Sequence, residues 1–98
     1  MRTALRNKLE EGVRVSAWGR LHDFANRDAI ILISEELDLL DVAERVVRDD
    51  KEFVASWVED SLVTKPNSLQ LRKWEETPSR PFRCLVVYPY ILIQSVAS

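Results

Sequence analysis

Apolar residues recur along the chain in several distinct rhythms, and each rhythm predicts an element. The clearest is Leu39, Val42, Ala43, Val46 and Val47, at i, i+3, i+4, i+7 and i+8. That spacing forms one stripe on a helix. Asp38 stands where an N-cap is needed, and Asp38 and Asp41 place negative charge where the helix dipole favours it. Asp41 and Glu44 precede Arg45 and Arg48 by four residues at their nearest, on the wet side. Asp50 opens a second helix over about 51–60, with the stripe Phe53, Val54, Trp57 and Val58. Asn67 followed by Gln70 has the form of a capping box. The helix after it carries Leu71 and Trp74 on one face and ends before Pro78. Upstream, a helix is expected over about 2–11, with Gly12 as its stop. Ser16 is placed to cap another helix, in which Trp18, Leu21, His22 and Ala25 recur up to about Asn26.

Three segments read as strands. Ala29 to Ile33 is a short β-branched run. Leu62-Val63-Thr64 is another, closed by Lys65-Pro66. Phe82 to Gln94 is the longest extended segment, with a bulge or break expected at Pro89, which has no ladder donor. The order is helix, helix, strand, helix, helix, strand, helix, strand. It predicts a single α+β domain over residues 1–98: a three-stranded sheet packed with four to five helices, the last strand central.

Composition narrows the function classes. Among 98 residues, 46% are hydrophobic and 31% charged, as in a soluble globular chain. Two glycines cannot form a phosphate-cradling loop. One cysteine and one histidine cannot form a disulfide or a Cys/His zinc site. No cofactor is expected. The net charge of −2 argues against a general nucleic-acid coat. The charge is uneven, however: residues 1–33 carry six basic and four acidic groups, residues 34–61 three and ten, and residues 62–98 five and two. This acidic middle either steers a charged partner or is neutralised within the fold. The N-terminus has positive charges without an apolar segment behind them, and no apolar run nears a membrane span. A cytoplasmic location is the expectation.

The block Leu37-Asp38-Leu39-Leu40-Asp41-Val42-Ala43-Glu44, then Asp49-Asp50, Val54 to Trp57, Leu62-Val63, Trp74, and finally Val86-Val87-Tyr88-Pro89-Tyr90-Ile91-Leu92-Ile93-Gln94, resembles a small bacterial family. That family is known only as domain of unknown function number two-two-eight-eight. Trp18 before the first strand fits its pattern too. The resemblance spans roughly residues 5–94. One departure is visible: the family pattern has a glycine just after the Trp57 helix, where this chain has Asp60-Ser61. The resemblance implies a bacterial stand-alone domain and brings no activity, substrate or catalytic residues.

Candidate chemistry is sparse. Cys84 and His22 are the one conventional nucleophile–base pair, and a buried strand cysteine is ordinarily a small hydrophobe. Glu35, Glu36, Asp38 and Asp41 have the oxygens a hard cation needs, without the alternation or glycine of a calcium loop. Arg72 and Lys73 beside Trp74 are cations next to a stacking ring, the parts of a nucleic-acid site. The helices at 39–48 and 51–60 have helix-turn-helix order, but Glu52, Glu59 and Asp60 would repel a phosphate backbone. The favoured reading is a binding module that engages a protein partner or a second copy as a homodimer, without nucleic acid or membrane. Its surfaces would be the acidic face, Glu36, Asp41 and Glu44, and the aromatic strand region, Tyr88 and Tyr90. The alternatives are an enzyme or ligand-binding protein using carboxylates and His22, and a nucleic-acid-associated factor using Arg72, Lys73 and Trp74.

Overall fold

The computed structural model describes residues 4–96. Their order is α1 (Ala4–Gly12), β1 (Arg14–Ala17), α2 (Trp18–Asn26), β2 (Ile30–Ile33), α3 (Leu39–Val47), α4 (Lys51–Glu59), β3 (Val63–Thr64), α5 (Ser68–Glu75), β4 (Pro81–Val87) and β5 (Tyr90–Ser95). Residues 2 and 3 of the expected first helix, and the two ends of the 1–98 domain, lie outside the described residues. The α+β class stands, but the sheet has five strands among the described residues where the sequence predicts three. Two local features account for the difference. Pro89 does not interrupt one long strand: the chain reverses at Tyr88-Pro89 and the two apolar runs pair antiparallel, Val87 with Tyr90 through Phe82 with Ser95. Arg14–Ala17 is a strand paired with β4, so Ser16 is not a cap. Ala17 takes the N-cap position without a side-chain bond, and the Ser16 hydroxyl instead accepts a 3.7 Å bond from the Cys84 thiol.

The sheet order is β1-β4-β5-β2-β3, with β2 and β5 parallel and the other neighbours antiparallel. The long apolar segment is therefore central, as two strands. Alternate residues of β4 and β5 point to opposite faces, and helices cover both. On one face Phe82, Cys84, Ile91, Ile93 and Ile30 pack with Trp18 and Leu21 of α2 and Trp74 of α5. Trp18, Trp74 and Phe82 form a ring cluster with centroids 4.9 to 6.0 Å apart. On the other face Leu85, Val87, Leu92 and Ile33 pack against Leu39, Val42 and Ala43 of α3, with Leu9 of α1 and Trp57 of α4 alongside.

The caps form as their side chains dictate. Asp38 accepts from the Leu40 amide at 2.8 Å, and Asp50 from the Phe53 amide at 3.4 Å. Asn67 and Gln70 exchange bonds of 2.8 and 2.9 Å. Gly12 closes α1, but not through a left-handed backbone: no described glycine has positive φ. Its role is space, since a Cβ there would meet Leu85 Cδ1 at 3.1 Å. Ser61 does adopt a left-handed φ of 59°. This is the Asp60-Ser61 turn where the family pattern has glycine, the residue that takes that conformation without a steric cost. The α4 stripe is only half used: Val54 and Trp57 are half-buried, while Phe53 and Val58 are exposed.

Candidate functional site

The acidic face is held together by one arginine. α1 packs along α3 and brings Arg6 to Asp41 at 2.7 Å, Asp38 at 3.1 Å and Glu44 at 3.3 Å. The hydrogen bond that Arg6 donates to Asp41 does most to raise the Arg6 pKa above its ordinary value, against the opposing effect of burial. The basic start of the chain thus neutralises part of its acidic middle, and Asp41 and Glu44 each have an oxygen engaged. Glu36 stands apart in the 34–38 loop, exposed, and its side chain has no ion pair among the described residues. Elsewhere Lys65 pairs with Asp28 at 2.6 Å and Arg45 with Asp50 at 2.7 Å, the latter also lying 3.9 Å over the Phe53 ring.

Both alternative readings lose an essential juxtaposition. His22 sits on α2, bonded to the Gly19 carbonyl and to Asp23, each at 3.1 Å. Glu36, Asp41 and Glu44 lie on the α3 side, with the sheet between, so His22 and these carboxylates share no cleft. Cys84 is buried and bonds to Ser16 rather than to His22. Arg72 and Lys73 are exposed on α5, but Trp74 between them and the sheet is buried against Trp18 and Phe82 and offers no stacking face.

Three surface features remain. The first is the tip of the β4–β5 hairpin. Tyr88 is 92% exposed, Val86 is 64% exposed, and Tyr90 beside them is also exposed. The second is a cleft of about 530 Å³ between α3 and α4, with Val46, Val54, Ala55 and Val58 as its apolar lining. The third is a polar hollow of about 560 Å³ beside the Arg83–Gln94 end of β4 and β5. Arg83 and Gln94 line it from the sheet, Glu35, Leu37, Asp38 and Leu40 from the loop and start of α3, Glu10 from α1 and Val13 from just after it; Asp38 is the carboxylate that Arg6 holds. Sequence reasoning missed Arg6 and Gln94, and read Arg83 only as one cation of a basic segment. Gln94 did leave a signal: it is the lone amide at the end of an apolar run, and it is 6% exposed.

The family described as "Protein of unknown function (DUF2288)" matches residues 4–95. The structure titled "NMR solution structure of PA1075 from Pseudomonas Aeruginosa" is similar to this chain, with 30% identity and a TM-score of 0.82. The alignment covers 100% of this chain and 90% of that one. Among curated proteins none matches. No helix among the described residues is long and apolar enough to cross a membrane.

Proposed function

The chain belongs to the DUF2288 family of proteins of unknown function, and from that membership, which brings no activity with it, we propose that it is a protein-binding module that docks through the tip of the β4–β5 hairpin. The observation that carries this reading is Tyr88. A tyrosine 92% exposed is set at the turn between two strands that each have a neighbour on both sides. β2 flanks β5 from Ile91 onward, next to the tip, while β1 holds the far end of β4 at Pro81–Cys84. A two-torsion aromatic on a rigid support has little freedom to lose when it docks.

The tip is convex, so it suits a partner with an apolar recess and an acceptor for the phenol O–H. Val86 and Tyr90 stand on opposite faces of the hairpin, so Tyr88 with either of them offers on the order of 300 Å². That is below the roughly 800 Å² per partner of a standard stable interface. The tip is therefore the anchor of a reversible contact with another protein rather than the seam of a permanent dimer. Glu36, Asp41 and Glu44 take no part in this contact.

Wild-type protein and Tyr88→Ala serve as paired baits in nuclease-treated lysate of the source organism, with light scattering on each alone. Tyr88 has no packing role, so the variant's stability stays within about 0.5 kcal/mol of wild type. A partner held by wild type and released by Tyr88→Ala supports the reading. Equal recovery on both baits overturns it, as does a concentration-dependent dimer that the substitution abolishes.

A further inference from the structure

We propose that the polar hollow beside Arg83 and Gln94 binds an aliphatic α-amino acid unit, as a free amino acid or as the last residue of a peptide. The inference does not rest on the hairpin-tip reading, since the hollow lies at the opposite end of the same two strands.

The chemistry follows from two residues paired across the sheet. Arg83 on β4 is the register partner of Gln94 on β5, so their side chains stand side by side on one face. Gln94 is the only polar or charged residue buried among the described residues. Its amide nitrogen donates to the Ser34 carbonyl at 2.9 Å and the Leu37 carbonyl at 2.7 Å. Both N–H groups are thereby used, and the plane of the amide is fixed. Its oxygen must face away from those carbonyls. It has no hydrogen-bond partner among the described residues and is not sealed from solvent. It is an oriented acceptor that no protein donor among the described residues uses.

Arg83 supplies the complementary half. Its guanidinium is exposed and makes no ion pair or hydrogen bond among the described residues, although Glu35 lines the same hollow. A planar fork of donors suits a carboxylate. A carboxylate on Arg83 and an N–H on the Gln94 oxygen, one carbon apart, are the two polar ends of an α-amino acid. Glu35 and Glu10 add attraction for an ammonium group, while Asp38, also in the lining, is held by Arg6. Leu37, Leu40 and Val13 form the apolar wall that takes the side chain. The volume of about 560 Å³ lies within the range of small-ligand sites. In the α3–α4 cleft the cations Arg45 and Lys51 are already paired, with Asp50 and Asp49.

The test is an NMR titration of the ¹⁵N-labelled chain with L-leucine, N-acetyl-L-leucine and L-leucinamide. Saturable shifts of the Gln94 side-chain amide and the Arg83 backbone amide are expected with at least one of the two carboxylates. L-Leucine titrating identifies a free amino acid; N-acetyl-L-leucine alone titrating identifies a peptide terminus. L-Leucinamide, lacking the carboxylate, binds at least about tenfold more weakly, and Arg83→Gln weakens the carboxylates by a similar factor. The substitution removes no hydrogen bond or ion pair among the described residues, so its spectrum stays close to that of wild type. Silence with both carboxylates in the millimolar range overturns the proposal. Equal binding of L-leucinamide, or unchanged binding by Arg83→Gln, also overturns it.

Discussion

Replacing Gln94 by glutamate keeps the shape of the side chain and removes its two donors. In the wild type those donors hold the Ser34 and Leu37 carbonyls at 2.9 and 2.7 Å, fastening the loop between β2 and α3 to β5. The variant has two routes at pH 7. Ionised, its carboxylate faces two carbonyl oxygens at contact distance in a buried place. Protonated, it takes up a proton against an ordinary pKa of about 4.3, which costs about 3.7 kcal/mol at pH 7. Even then it satisfies one carbonyl of the two, losing about 1 kcal/mol more. The protonated route sets a ceiling of about 5 kcal/mol, comparable with the whole stability of a small domain. At pH 4.5 the proton costs about 0.6 kcal/mol. The folded-state pKa of the new carboxyl is raised, so its destabilisation grows as pH rises above the unfolded value and shrinks as pH falls toward it. Urea unfolding of Gln94→Glu and wild type at both pH values reads this directly. The gap between them should narrow by about 3 kcal/mol on acidification. A gap that is the same at both pH values, or below about 0.5 kcal/mol at pH 7, refutes the reasoning.

Phe82→Ala empties the centre of the ring cluster with Trp18 and Trp74 and should cost about 3–5 kcal/mol in denaturant titration; a loss under about 1 kcal/mol would mean that the rings do not pack as described. Lys65 has its pKa raised above the ordinary 10.5, first by its hydrogen bond to Asp28 and then by that carboxylate's charge. Its contribution is complete below the ordinary value and is lost as pH rises through the raised one. Lys65→Met should therefore be less stable than wild type near neutrality, with the difference closing at strongly alkaline pH. A difference that persists after Lys65 has lost its proton would rule out the ion pair as its source.

The parts of the fold legible in the sequence are those set within a few residues. Asp38, Asp50 and Asn67 cap helices because a short polar side chain reaches an amide two or three residues on, whatever the rest of the chain does. The α3 stripe was legible for the same reason. The hairpin was not. Tyr88-Pro89 carries none of the Asn-Gly or Asp-Gly chemistry that marks a two-residue reversal, so it read as a fault in one strand. β1 was hidden because Ser16 before Trp18 looks like a cap, and four residues are too few to show alternation. Arg6 was beyond reach: the carboxylates it holds lie 32 to 38 residues away, and only packing of α1 on α3 brings them together. Both anchors of the hollow are likewise made by strand pairing. Arg83 and Gln94 are ordinary residues until the register of β4 and β5 sets them side by side.

The sheet order also sets a timetable. The hairpin that forms the middle of the sheet is the last part of it to be synthesised. Position 14 must wait for position 84, and position 30 for position 91. At about 5–20 residues per second on the ribosome, several seconds pass between the emergence of β2 and that of its central neighbour. During that interval β1 and β2 are uncovered edges, open to pairing with other chains. Contacts of such high sequence separation also slow the search once the chain is complete. Any segment that shields residues 14–33 during synthesis would act on the yield of folded protein without altering its final stability.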